Sequence, residues 1–359
     1  MSAAAPLVHC DPRAFTVHGM GSALPGRAID TDELLARIEG RFGLSVRRRG
    51  MALARRLGVR TRYLCRDLRE RHEAPRAGDG NAALAARAVR GALAQAGLGI
   101  GEVRYLIAHT ATPGVLLPPG VAQVAELLGY DGPYVELRQA CTGFANALVF
   151  AASLHGRQPG GAVVIVGSEC GSVYFDPHRA ALDTGQLINM LQMGDGAAAI
   201  VLTATGAAHG PRIERIYCGQ LGRERGSAFQ LRAGGSDHLP DADSAAEFRH
   251  DFASVRRDGL QLFQAGLLAA ASLGSTPDNC EFLIPHQANG RMAEWLAPQL
   301  SVSAERIFVN ADRLGNTGSA AIWLALAALR NDLGAGQSAL ILGAEATKFM
   351  FGGFRYVHA

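Results

Sequence analysis

The stretch CTGFANALVFAASLH, Cys141 to His155, has a counterpart in NTGSAAIWLALAALR, Asn316 to Arg330. Each opens on a small turn and continues as an apolar, alanine-rich run of helical length and spacing. Two further pairs lie around them. VRYLIAHTAT (Val103 to Thr112) matches CEFLIPHQAN (Cys280 to Asn289), and AVVIVGSE (Ala162 to Glu169) matches SALILGAE (Ser338 to Glu345). The offsets are 177 residues between His109 and His286, 175 between Cys141 and Asn316, and 176 between Glu169 and Glu345. One nearly constant spacing across three segments indicates a tandem duplication, with too few copies for a solenoid. The runs ending in AVVIVG and SALILG suit strands buried on both faces. The expected fold is therefore α/β, with two pseudo-dyad-related halves, residues 1–206 and 207–359, and helices layered against mixed sheets.

A duplication of this kind makes equivalent loops meet near the pseudo-dyad. Cys141 and Asn316 occupy equivalent positions, so both are expected at helix N-termini facing one shared site. His286 ends a strand of the second copy and should point there too. A cysteine at a helix N-terminus feels the positive end of the helix dipole, which favours the nucleophilic thiolate, and a neighbouring imidazole can assist. Taken singly, each residue has a plainer reading. A free cysteine is usually core packing, a lone histidine is usually a satisfied core group, and Asn316 in GNTGS makes a good helix cap. The duplication is what raises all three together. His109, the repeat-mate of His286, is read as structural.

Composition narrows the classes. The 359 residues are 48% hydrophobic and 19% charged, ordinary for a globular enzyme and wrong for disorder. A net charge of +3 is too small to argue for nucleic acid as a partner. No apolar run reaches the ~18–20 residues that cross a bilayer, and Met1 to Phe15 lacks the pattern of a secretion signal. The six cysteines are far apart with no C-x-x-C pair, against both a disulfide framework and a zinc site. A cytoplasmic protein with no metal, no membrane span and no nucleic-acid partner is the expectation.

The segments RQACTGF, IPHQAN and GNTGSAA resemble the three active-site motifs of the ketoacyl-ACP synthase III group of the thiolase superfamily. The resemblance runs in order from about Thr16 to the end. It includes HTATPGVLLPP before the cysteine segment and MGDGAAAIVL, around Asp195, after it. It implies a thiolase-like α-β-α-β-α layering and a homodimer with a two-fold interface. It also implies chemistry: Cys141 takes an acyl group from a thioester, while His286 and Asn316 hold the carbonyl of a malonyl thioester as it loses carbon dioxide. Two neutral N–H donors suit a developing enolate oxygen. No bound cofactor is implied; the substrates are thioesters on CoA or acyl carrier protein, and a fatty-acid-related or specialised pathway fits. A transferase or thioester hydrolase of the same fold, and a silent subunit of a heterodimeric condensing enzyme, stay open as alternatives.

The resemblance also assigns secondary positions, some with departures. In GAEATKFMFGGF, Gly343 to Phe354, Thr347 takes the place of the glycine whose backbone N–H, with that of Cys141, forms the oxyanion hole. Glu345 and Lys348 are either an exposed pair or pocket residues. Arg56 matches an arginine that holds CoA, but Ala52 and Val173 replace the two sides of the adenine clamp. That substitution puts acyl-CoA as the donor in question and raises a carrier protein as the alternative. Asn289 and Arg291 match the tunnel mouth, and Leu117 matches a residue reaching across the dimer into the partner's acyl pocket, where with the lid-like segment Asp183 to Met193 it is expected to set chain-length choice. Arginines at 47, 48, 49, 55, 56, 60 and 62 read as a solvated face or as a dock for an acidic carrier.

Overall fold

The computed structural model describes residues 7–157, 160–204, 210–232, 234–237 and 246–359. The expected boundary between residues 206 and 207 lies outside the described residues. The strands are β1 (Val8–Asp11), β2 (Phe15–Ala23), β3 (Ile29–Asp30), β4 (Thr61–Arg62), β5 (Val103–His109), β6 (Tyr134–Leu137) and β7 (Ala162–Glu169). They continue with β8 (Gly196–Ala204), β9 (Arg212–Gln220), β10 (Phe229–Arg232), β11 (Glu247–His250), β12 (Phe282–Pro285), β13 (Ser338–Glu345) and β14 (Met350–Val357).

The main sheet runs β12-β13-β14-β9-β2-β8-β7-β5-β6, with β1 paired to β9. Apart from β6 and β1, the order reads alike from both ends. β12 pairs β13 in parallel as β5 pairs β7, and β13 pairs β14 antiparallel as β7 pairs β8. The two sides join at β2 and β9 through only two residue pairs, Phe15 with Ile213 and Thr16 with Arg212. So narrow a seam lets each half keep its own plane. β1 ties the N-terminal chain to the second half across β9.

Alternation along the central strands explains the layers. In β7, Val163 and Ile165 point into one core and Val164 and Val166 into another; in β13, Ala339 and Ile341 share the first core while Leu340 and Leu342 face a third. The shared core holds the helices Gly143–Arg157 and Ala321–Leu329 between the two sheets. The second core carries Asn81–Ala96 and Gly120–Leu128, and the third Phe252–Ser272 and Met292–Leu300. Helix, sheet, helix, sheet, helix: the thiolase-like layering expected from the resemblance is the one observed. The sequence AIWLALAAL is apolar on every side, as a helix enclosed by two sheets must be.

Trp323 anchors this middle layer. It is fully buried, meets Phe144 edge-on at 5.8 Å and stacks on Phe354 at 5.7 Å. Its Nε1–H donates to His109 Nε2 at 3.2 Å, which gives His109 its structural work. Burial depresses His109 to about 3, so it is neutral and free to accept. Gly143 is required where the first central helix passes this imidazole, because a Cβ there would stand 2.6 Å from His109 Nδ1. Trp323→Ala should lower the unfolding free energy by about 3–5 kcal/mol, read as a fall in the denaturant midpoint; an unchanged midpoint would remove Trp323 from its anchoring role.

Candidate active site

Cys141 lies two residues before the helix Gly143–Arg157, and Asn316 precedes the turn that leads into Ala321–Leu329. His286 follows the end of β12, with its backbone N–H donating to Leu342 O at 2.9 Å. All three line one cavity of about 600 Å³. Segments far apart in sequence thus converge at the pseudo-dyad, through the strand ends and helix starts of both halves.

Hydrogen bonding orients two of these groups. Asn316 Oδ1 accepts the Gly318 N–H at 3.0 Å, which leaves its Nδ2 as the donor for the cavity. Its backbone is tied on both sides, the N–H to Gln192 O at 2.8 Å and the C=O to Gly194 N–H at 3.1 Å. His286 keeps Nδ1 buried without a partner, so Nε2 is the ring nitrogen that meets the cavity. Burial depresses His286 to about 4. At neutral pH it is an uncharged imidazole beside an uncharged amide.

The surroundings of Cys141 differ from the expectation drawn from the helix dipole. Burial, then the Glu345 and Glu169 carboxylates, push the Cys141 thiol well above its usual value. Glu345 Oε2 already accepts the Thr142 N–H at 2.9 Å and the Thr142 hydroxyl at 2.7 Å, so a carboxylate group sits at the start of this helix. The resting form is therefore the thiol. Glu169 is the repeat-mate of Glu345, and the two carboxylates are used alike. Its Oε1 accepts the Ser319 N–H at 3.3 Å and the Ser319 hydroxyl at 2.5 Å, at the start of the other central helix. Gly318, at φ 50°, runs so close over this carboxylate that a Cβ would stand 2.6 Å from Glu169 Cγ.

Of the secondary positions, Arg56, Asn289, Arg291 and Thr347 line the cavity with the central three. Thr347 is absent from the residues with positive φ, which falls instead on Phe349 at 52°; its hydroxyl donates to Glu345 Oε1. Ile188, Asn189, Gln192 and Met193 bring the Asp183 to Met193 segment to the wall. Leu117 is not brought in. It is 84% exposed on this chain and its neighbour Leu116 is 58% exposed.

Of the two readings of Glu345 and Lys348, Glu345 takes the pocket one: it is buried and lines the cavity, whereas Lys348 is exposed, with Nζ donating to Arg225 O. One expectation is corrected: the arginines of 47–62 are not one solvated face. Arg62 is fully buried, donating from Nη2 to Thr31 Oγ1 at 2.9 Å and Leu191 O at 2.8 Å, and burial pulls it down to about 10. Arg49 is turned onto Ala180 O and Ala181 O, while Arg47 and Arg60 pair with Asp32 and Asp312.

Residues 135–222 match the model of 3-oxoacyl-[acyl-carrier-protein] synthase III, and residues 270–350 match its C-terminal model. The β-ketoacyl-[acyl-carrier-protein] synthase III of Nitratidesulfovibrio vulgaris is 32% identical over 73% of this chain and 78% of the relative. That of Rhizobium meliloti is 31% identical over 88% and 90%. The chain belongs to the 3-oxoacyl-[acyl-carrier-protein] synthase III family. As such it is an acyl-transferring condensing enzyme of the thiolase fold.

Solved structures agree. The tetronic acid condensing enzyme AbyA1 superposes with a TM-score of 0.82 at 27% identity, covering 96% of this chain and 99% of that one. The synthase III of Pseudomonas aeruginosa gives 0.76 at 27% identity, covering 96% and 98%. OleA of Xanthomonas campestris, with bound lauric acid and lauroyl-CoA, gives 0.78 at 18% identity, covering 96% and 99%, and supports the fold alone. No described helix is long and apolar enough to cross a membrane, and no described group of side chains could hold a metal ion.

The perturbed groups give two measurable signatures. Because the Cys141 thiol is raised, its alkylation by iodoacetamide should be slow at neutral pH and climb as pH increases through the alkaline range; mass spectrometry against Cys141→Ala isolates it from the other cysteines, and rapid, pH-independent alkylation near neutrality would overturn the assignment. His286 titrates lower folded than unfolded, so the unfolded chain binds the extra proton. Stability should therefore fall as pH drops from about 6.5 toward about 4, and His286→Asn should flatten part of that loss in denaturant midpoints.

Proposed function

We propose that this enzyme condenses an acyl thioester with a malonyl thioester through an acyl-Cys141 intermediate. The observation that carries the reading is the convergence of Cys141, a neutral His286 and an oriented Asn316 amide on one cavity. In the first step the Cys141 sulfur bonds to the acyl carbon as the donor's C–S bond breaks, and the thiol proton leaves with the carrier's sulfur. In the second, the malonyl carbon–carboxylate bond breaks and its electron pair becomes the enolate. His286 Nε2–H and Asn316 Nδ2–H donate to the enolate oxygen, a use of preorganised dipoles that typically accounts for ~10²–10³-fold in rate per donor. The enolate carbon then attacks the acyl carbon, the Cys141 sulfur departs and is reprotonated, and a β-ketoacyl thioester and carbon dioxide leave.

Neutral donors fit this step. A cationic histidine would hold the malonyl carboxylate and resist its loss as carbon dioxide. The backbone N–H groups of Cys141 and Thr347 serve the acyl oxygen, which a negative φ at Thr347 permits. Arg56, Asn289 and Arg291 at the rim recognise the pantetheine arm or an acidic carrier protein. In the two-fold dimer that this reading carries, the exposed Leu117 reaches the partner's acyl pocket.

The test offers acyl and malonyl thioesters to the intact protein. Acyl mass is expected on the wild type and absent from Cys141→Ala. Asn316→Ala should keep the acyl mass yet lose release of carbon dioxide by about 10²-fold or more. Retained release of carbon dioxide in Asn316→Ala would overturn the role given to Asn316, acyl mass with no carbon dioxide release by the wild type would reduce the enzyme to acyl transfer, and no acylation from any donor would favour a silent subunit.

A further inference from the structure

The condensation steps above use neither of the two carboxylates that line the cavity beside Cys141. Glu345 and Glu169 are 3% and 5% exposed and stand at the ends of β13 and β7. Neither pairs with a basic side chain among the described residues. Each is held by hydroxyl and amide donors instead, and those donors are unevenly spread over the two oxygens.

Glu345 Oε2 takes both donors of Thr142, at 2.9 and 2.7 Å, while Oε1 takes only the Thr347 hydroxyl. Glu169 Oε1 takes the Ala111 N–H at 3.0 Å and both donors of Ser319, while Oε2 takes only the Thr112 hydroxyl at 2.5 Å. A carboxylate oxygen accepts along two lone-pair directions. Glu345 Oε1 and Glu169 Oε2 therefore each keep one acceptor position, in two residues that form the wall next to the nucleophile. An alkyl chain packed against that wall displaces water and leaves those positions unpaired, which is costly for a buried acceptor. A hydroxyl or an amine on the chain supplies the missing donor.

We propose that Glu345, together with Glu169, selects acyl groups that carry a hydrogen-bond donor close to the thioester, a hydroxyl or an amine, over plain alkyl chains of the same length. The proposal rests on the acyl-Cys141 reading. It follows the general asymmetry of recognition: a site built to bond a polar group rejects the analogue lacking it far more strongly than an apolar slot rejects the reverse.

The test compares rates of acyl mass appearing on Cys141 from butyryl, 3-hydroxybutyryl and 3-aminobutyryl pantetheine thioesters. At least one donor-bearing chain should outrun butyryl by about tenfold or more, the range of a hydrogen bond to a charged group. Glu345→Gln keeps the size and an oxygen for Thr142 but turns an acceptor into an N–H donor, so the preference should collapse toward unity; Glu345→Leu should reverse it. Folding of both variants is checked by thermal unfolding, and the wild-type ratio stands without them. Equal rates for the three chains, a lead for butyryl in the wild type, or a preference unmoved in both variants removes this inference and leaves the acyl-Cys141 reading intact. Acyl mass from none of the three removes that reading and the inference with it.

Discussion

The start of each central helix is held by a carboxylate that belongs to the opposite half. Glu345, ending β13, accepts the Thr142 donors that precede the helix Gly143–Arg157. Glu169, ending β7, accepts the Ser319 donors before Ala321–Leu329. Helix N-termini leave N–H groups unpaired, and here both are satisfied across the pseudo-dyad. The exchange is reciprocal, so neither helix can slide along its axis without unpairing a buried carboxylate. This crossing fixes Cys141 and Asn316 at one place, because each sits within three residues of a captured donor. The narrow β2–β9 seam does little of that work with its two residue pairs; the buried middle layer and these two carboxylates do the rest.

The same contact sets the electrostatics. A bare helix N-terminus lowers a thiol's pKa, but a carboxylate seated on it opposes the dipole. Burial then adds to the opposition, and Cys141 rests as a thiol. Cys141 is thereby held rigidly, but in its less reactive form. That is compatible with acyl transfer, where the proton has a ready acceptor in the departing carrier sulfur. Reactivity then depends on a bound thioester more than on ambient pH, which also protects a lone cysteine against adventitious oxidation.

How much of this could be read from the chain itself follows from the duplication. Three repeated segments at nearly one offset carried the layering and the convergence of Cys141, His286 and Asn316, since hydrophobic period and strand-to-helix turns are local properties. The same repeat held the clue to Glu345: AVVIVGSE and SALILGAE end on equivalent glutamates, and a pseudo-dyad sends both inward or neither. Proximity to Lys348 in sequence obscured it. Arg62 illustrates a limit of another kind. It stands in a run of exposed arginines, yet β4 carries it beneath the segment Asp183 to Met193, where Thr31 and Leu191 receive it. Only the tertiary path separates it from Arg55 or Arg60. Leu117 lies at the opposite extreme: within this chain it is an exposed apolar side chain outside the cavity.

A condensing site must reconcile two opposite demands at one cavity: an electron-rich nucleophile on one side and donors for a developing oxyanion on the other. The duplicated architecture separates them by origin. The first half supplies sulfur, and the second supplies the imidazole and the amide. Each half then reaches across with a carboxylate whose hydrogen bonds are already largely used. Thr347 shows why that matters. Its hydroxyl is drawn to Glu345 Oε1, which couples the loop carrying Thr347 to the turn carrying Cys141 through one side chain. A change at Glu345 is therefore felt at Cys141, at the Thr347 loop and along the cavity wall together. Substitutions at this one position reach more of the cavity than substitutions at the rim.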